Sequence, residues 1–472
     1  MTVDRNTAEP AAQTVPGPGL LADFRAEFYR CLGQRADAQF ELCDAVLCAE
    51  GPVTTLVGLS QVPEHRRGHG ALYDGLAVGS IDVDRLRQKL VTLPLPRDQD
   101  GRIVLAVDVS NWLRPDAPTS DGRLFCHTYA RGKGAAQMIP GWPYSFIAAV
   151  EPGRTSWTRI LDAERLRPDT DETALTAGQL RRIVEGITAA GQWEPGDQPI
   201  VVLFDAGYDI ARLTWLLADL PVTLIGRLRS DRVLCFDPDP GKAATGRPAR
   251  HGAEFRLADP AGRPVPDTAT ETATTRYGAA AASSWDRLHP RLARRGSWTG
   301  HSGELPVIAG TVIHLGIDHL PGNRKPKPLW LFTSDTGIDA DQIDRYWQWY
   351  LRRFDLEHTF RFLKQTLGWT APQISTAEAG DRWTWLITAA YTQLSLARTH
   401  TRDLRRPWEK PAPPEKLSPA RTRRGFRHLH RKLPAQASAP KPTRAGPGRP
   451  PGRKNQHKAV IHPVGKQKLE VK

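Results

Sequence analysis

The feature that most narrows the fold is the order of elements between Arg102 and Arg229. RIVLAVDVSNW (Arg102–Trp112) is a short, apolar, β-rich run that ends in a carboxylate, Asp108, and a polar cluster. RLFCHTYARG (Arg123–Gly132) and YSFIAAVEP (Tyr144–Pro152) read as two further strands, separated by turns containing Gly and Pro. A helix follows over ALTAGQLRRIVEGITAAG, with Leu180, Ile183, Val184 and Ile187 on its inner face. Next, PIVVLFDAGYD (Pro199–Asp209) carries an unbroken apolar run, which predicts a fully buried strand ending at Asp205. IARLTWLLADL then reads as a helix and PVTLIGRLR as a strand. Strands alternating with helices in this way predict an α/β sheet covered by helices.

The flanking segments differ in texture. Residues 1–19 are rich in Pro, Ala, Gly and Thr and read as a mobile leader. Residues 20–95 are helical in pattern, with Ser80 or Asp82 as a cap for the last helix. Arg66, Arg67 and His69 are interleaved with Gly there, ahead of Tyr73. Such a module fits either a DNA-gripping domain or a packing and dimerisation domain. Residues 96–229 form the first part of the core, and 230–335, dominated by Gly, Pro, Thr and Ala with short β-like runs, read as an insertion. Residues 336–400 return to helical patterns that complete the core. Pro, Lys and Arg prevail over 401–472, a composition expected to be disordered in isolation.

The net charge of +14 is unevenly placed. From Thr401 to Lys472 there are 20 Lys and Arg against 4 Asp and Glu, a net of +16, while the other 400 residues carry 45 against 47. A nucleic-acid surface on the body must therefore be a local patch. The five cysteines, Cys31, Cys43, Cys48, Cys126 and Cys235, are scattered, and their spacing indicates neither a disulfide framework nor a zinc site. No apolar run approaches a membrane span and the N-terminus lacks a signal-peptide plan, so a cytoplasmic protein without a membrane partner is expected.

Tyr350–Lys364, YLRRFDLEHTFRFLK, has no Gly or Pro and reads as one helix. At about 100° per residue from Tyr350, Arg353 falls at about 300°, Lys364 at about 320° and Glu357 at about 340°. A hydroxyl, a guanidinium, an amine and a carboxylate thus share one stripe, with the spacing Y-x2-R-x3-E-x6-K. An ordinary amphipathic helix can carry the same residues. The spacing, with Asp108 and Asp205 upstream, resembles the signature of the DDE transposases of bacterial cut-and-paste insertion sequences, over roughly residues 100–400.

The resemblance implies a ribonuclease H-like fold: a mixed sheet flanked by helices, with a β-containing insertion and a helical N-terminal domain. In that fold the first acid sits on the first strand and the second just past the fourth, the places of Asp108 and Asp205, and Glu357 supplies the third. Three carboxylates are hard ligands for Mg²⁺ or Mn²⁺. Two such ions can activate a nucleophile and stabilise the leaving oxygen in phosphodiester displacement. By resemblance, the reaction is nicking at the element's ends and attack of the freed 3′-hydroxyl on target DNA. The partners implied are double-stranded DNA and a second copy of the chain, in a paired-end homodimer at the bacterial nucleoid.

Arg353 and Lys364 would hold DNA phosphates near the cleaved end, with Tyr350 in a positioning role; ion pairs to nearby acids such as Asp355 or Glu357 are the alternative. An insertion-borne aromatic can stack on a flipped base in relatives of this kind, and Trp298 is the local candidate, with Trp285 competing and packing inside the insertion as the alternative. Gly448-Arg449-Pro450 resembles an AT-hook core, although Pro447 stands where an Arg is usual; a nonspecific phosphate-binding tail is the other reading. Two further functions stay open: a nuclease of the same fold that cuts without joining, and a catalytically inactive, domesticated DNA-binding protein.

Overall fold

The computed structural model describes residues 18–129, 136–153, 155–239, 249–320, 326–441 and 458–465. Five helices open it: α1 (Pro18–Cys31), α2 (Ala36–Cys48), α3 (Leu56–Ser60), α4 (His69–Ala77) and α5 (Val83–Thr92). Asp82 caps α5 by accepting from the Arg85 N–H, whereas the Ser80 hydroxyl accepts from the Gln34 N–H. There follow β1 (Val104–Leu113), β2 (Leu124–Tyr129), β3 (Ala136–Val150), β4 (Thr158–Arg165), α6 (Glu172–Ala189), β5 (Ile200–Phe204), α7 (Ile210–Leu216) and β6 (Val222–Leu228). The next segment holds β7 (Val233–Cys235), β8 (Glu254–Arg256), β9 (Thr268–Thr274), β10 (Gly278–Leu288), β11 (Gly310–Ile317) and β12 (Leu329–Thr333). Helices α8 (Ala340–Arg352), α9 (Phe354–Gln365), α10 (Ala377–Ala397) and α11 (Pro419–His430) follow, and residues 458–465 return to β2, where Gly465 bridges Leu124.

The central strands run β4-β3-β1-β5-β6, with β1, β5 and β6 parallel and β3 antiparallel to β1 and β4. This is the mixed sheet of a ribonuclease H-like fold, flanked by helices on both faces. Side chains alternate across it: Val104 and Ala106 join the core under α9 and α10, while Leu105 and Val107 join the one under α6 and α7. The sequence reading missed β4. Its Arg159, Asp162 and Arg165 interrupt the apolar signal, yet they are buried. Asp162 can go inside because Arg87 and Gln179 donate to it, and Arg165 because Asp381 accepts from it. The strand read over 123–132 is β2, which pairs with the first half of β3.

The segment after β6 extends the same sheet. β12 pairs antiparallel with β6, and β11, β10 and β9 follow outward, so the free edge of β6 is covered. Helix α10 is buried almost throughout and contacts α1, α2, α4, α11 and β4. Its threonines are satisfied internally: Thr384, Thr388 and Thr392 each donate to the carbonyl four residues back. No helix among the described residues is long and apolar enough to cross a membrane.

Part of the stretch expected to be disordered is folded. Helix α11 buries Phe426 completely, and Arg423 donates to the carbonyls of Val46 and Gly51. Composition hid this helix because its arginines are matched by acids elsewhere in the chain: Arg421 by Asp403, Arg424 by Glu409 and Arg427 by Glu64. Arg66 and Arg67 are likewise engaged. Arg66 donates to Glu41 and to the carbonyls of Ala437 and Ser438, and Arg67 to Asp37 and Ser438. Both side chains thus make hydrogen bonds within the protein.

Candidate active site

Asp108 and Asp205 leave neighbouring strands at one level. β1 pairs with β5 as far as Val107 opposite Phe204, and the acids are the next residue on each strand. Asp108, midway along β1, and Asp205, the first residue past β5, therefore stand side by side where the parallel pairing ends, a place where crevices open in α/β sheets.

Glu357 arrives on α9, whose position is set by α8. Asp339 and Gln342 form a capping box that starts α8. Asp344 then accepts hydrogen bonds from Thr270 and Thr272 of β9, and the Tyr346 hydroxyl bonds Asp335. The single helix expected over 350–364 is two helices joined at Arg353. Arg353 N–H donates to the Tyr350 carbonyl and Leu356 N–H to the Arg353 carbonyl, each at 3.0 Å. These bonds span three residues, so the chain tightens there without leaving the helical region.

Arg353 is the hub of the site and only 8% exposed. Its Nη1 lies 2.7 Å from Asp108 Oδ2, and its Nη2 lies 3.7 Å from both Asp205 Oδ1 and Glu357 Oε1. The Tyr350 hydroxyl donates to Asp205 Oδ1 at 3.3 Å. Burial pushes Asp108 up to about 6, opposed by Arg353 and reinforced by Asp205 and Glu357. Burial also raises Glu357, again against Arg353. Burial by itself would lower Arg353, but Asp108, Tyr350, Asp205 and Glu357 outweigh it and hold the guanidinium above its ordinary value.

Three carboxylates around one guanidinium leave two negative charges uncompensated among the contacting groups when all are ionised. Hard oxygen donors with that residual charge fit a divalent cation, which Asp108, Asp205 and Glu357 could hold. One oxygen from each cannot be chosen so that all lie within 4.8 Å of one another, and Arg353 stands among them.

Lys364 lies farther along the same face. Its Nζ sits 5.6 Å from the centroid of Trp369, which packs against Trp112, Tyr144 and Phe146. Burial lowers Lys364 to about 8, with Cys126 and Asp108 opposing. Asp355, two residues before Glu357, is buried and pairs with Arg352 at 3.5 Å.

Trp298 does not present a free face. It is 5% exposed and packs against Trp215 of α7 and His301, and Ala211 belongs to the same small cluster. Trp285 is also internal, between Phe255 and Trp330, with its Nε1 donating to the Pro264 carbonyl. The expectation of an exposed stacking ring thus meets a packed core instead, because the insertion has apolar surface of α7 and β12 to cover. Arg449 lies outside the described residues. One residue that the sequence reading left unassigned is Tyr208. Its hydroxyl is buried without a hydrogen-bond partner, and burial and then Asp108 raise it well above an ordinary phenol. Its position three residues past Asp205, in DAGYD, was the available signal. Asp209 caps α7 through the Arg212 N–H and accepts from the Ser297 hydroxyl.

A family model described as DDE superfamily endonuclease matches residues 27–291. The match spans more than half of the chain, includes Asp108 and Asp205, and ends before Glu357. No curated protein matches this chain.

Proposed function

The chain belongs to the DDE superfamily endonucleases, and on that premise we propose that it is a DNA transposase of the Y-x2-R-x3-E-x6-K class. It nicks the ends of its element and joins the 3′-hydroxyl to target DNA, acting as a homodimer on paired ends at the bacterial nucleoid. The observation that carries this reading is the single guanidinium, Arg353, in contact with carboxylates from β1, the end of β5 and α9. Bound Mg²⁺ or Mn²⁺ would activate the nucleophile and stabilise the leaving oxygen. The chain's own part is positional. Asp108, Asp205 and Glu357 hold the metal, Tyr350 orients Asp205, and Arg353 and Lys364 supply cations that can hold a phosphate in register without reading sequence. The deciding experiment incubates the protein and metal with paired element ends and a target plasmid. Joined products support a transposase. Nicks alone make it a nuclease of the same fold, and neither product makes it an inactive DNA-binding protein.

Two tests probe the DNA contacts. Lys364 is charged below about pH 8 and loses that charge above it. Metal-free affinity for an end duplex should therefore fall as pH rises through about 8, and Lys364→Arg should flatten that fall. A wild-type profile with no inflection there would remove Lys364 from the interface. The second test concerns the tail. Truncation after Lys441 keeps α11 but removes 8 Lys and Arg and 1 Glu. The salt dependence of nonspecific binding should become shallower, with metal-dependent nicking of bound ends retained. An unchanged slope would place the electrostatics on the body. Cutting at residue 400 is the wrong experiment, because it would strip Phe426 and Arg423 from the fold.

A further inference from the structure

The helical module and α11 meet at a second cluster of metal-ligating groups, remote in chemistry from the three acids. Cys48 ends α2, Glu64 lies between α3 and α4, and His430 ends α11. One ligand atom from each lies within 4.8 Å of the other two, and no other group of three His, Cys, Asp or Glu among the described residues meets that condition. Spacing could not reveal it, because α11 is supplied from the far end of the chain.

The surroundings of the three side chains fit ligands rather than chance neighbours. Glu64 has a side chain only 10% exposed. Its Oε1 accepts from Arg427 Nε at 3.0 Å, while its Oε2 is buried with no hydrogen-bond partner. Leaving a carboxylate oxygen buried and unpaired is costly unless something takes it. His430 Nε2 lies 3.1 Å from Asp44 Oδ2, the kind of outer carboxylate that fixes the ring of a metal-bound histidine. Cys48 is a free, buried thiol. Of the nearby cations, Arg25 pairs with Asp44 and Arg427 with Glu64 Oε1 and Glu50, while Arg423 donates to two carbonyls and keeps its Nη2 buried without a partner.

We propose that Cys48, Glu64 and His430 bind a structural Zn²⁺ that clasps α11 to α2 and to the α3–α4 connection. A thiolate, an imidazole and a carboxylate form a borderline-soft set that suits Zn²⁺ and not Mg²⁺ or Ca²⁺. Water completes four-coordination. Binding releases the Cys48 proton to solvent. The metal would fasten the C-terminal helix to the N-terminal module, whose packing on α10 continues into the catalytic sheet.

The test uses the full-length protein, stripped with a chelator and titrated with Co²⁺ as an optical stand-in for Zn²⁺. One equivalent should produce a thiolate-to-cobalt charge-transfer band that Zn²⁺ bleaches, and Zn²⁺ should raise the melting temperature. Cys48→Ser should abolish the band, and Glu64→Gln should weaken uptake at least about tenfold. Asp108→Asn should leave the band unchanged, which separates this site from the three acids. The wild-type titration decides even if Cys48→Ser does not fold: absence of the band, or its persistence in folded Cys48→Ser, overturns the proposal.

Discussion

Asp108→Asn, Asp205→Asn and Glu357→Gln are each expected to reduce metal-dependent nicking by about a thousandfold or more. Every change removes one negative charge while nearly keeping shape, so its effect falls on the metal rather than on packing. Stabilisation of a phosphodiester transition state by a metal is worth several kcal/mol, and about 4 kcal/mol corresponds to three decades of rate. End binding without metal should stay near wild type or strengthen slightly, since a carboxylate no longer opposes phosphate. Two carboxylates nearby in sequence serve as controls. Asp355 pairs with Arg352 and makes no contact with Arg353, so Asp355→Asn should leave the chemistry largely intact. Asp209→Asn keeps a good N-cap on α7 and should change stability by less than about 1 kcal/mol, with a much smaller loss of rate than at the three acids. The measurement is single-turnover nicking on a pre-bound end with Mn²⁺. If Asp355→Asn is inactive and Glu357→Gln is not, Glu357 is not a metal ligand and the proposed class goes with it.

Much of the sheet was legible because burial writes itself into apolar runs. Pro199–Phe204 is such a run, and the acid that follows it marks where the strand leaves the sheet. Strand β4 was illegible for the opposite reason: its Asp162 and Arg165 are buried but paired with partners, Arg87 and Asp381, that are distant in sequence. Helix α11 was lost among Pro and Arg because composition cannot show that Glu64, Asp403 and Glu409 will meet those arginines. At the site, helical spacing placed Arg353 and Glu357 on one stripe. It could not show the tightened turn at Arg353, nor that the guanidinium turns inward to the acids, because a long side chain has several directions open to it. The inward turn is decided by charge: Asp108 and Asp205, brought together by the β1–β5 register, are the strongest acceptors within reach.

That inward turn leads to the second large effect. Arg353 stands among the carboxylates as their cation. A divalent ion entering the site meets it as a competitor, and charges about 4 Å apart repel by several kcal/mol even at an effective dielectric of about 20. Arg353→Gln should therefore raise Mn²⁺ affinity in the absence of DNA by about tenfold or more. It should also lower the melting temperature of the metal-free protein, because Asp108, with a side chain only 21% exposed, loses its ion-pair partner at 2.7 Å. Added Mn²⁺ should restore much of that loss in the variant and do less for wild type. Nicking should nonetheless fall, since the phosphate loses a cation. Arg353→Lys separates charge from shape: a lysine keeps the competition but not the forked reach to Asp108 and Glu357 at once. Calorimetric Mn²⁺ titration and thermal unfolding of the three proteins read the effect without any turnover. Equal Mn²⁺ affinity and equal metal-free melting in wild type and Arg353→Gln would mean that the guanidinium does not hold these acids in solution. Tighter metal with undiminished nicking would instead keep the clasp and remove Arg353 from the DNA contact.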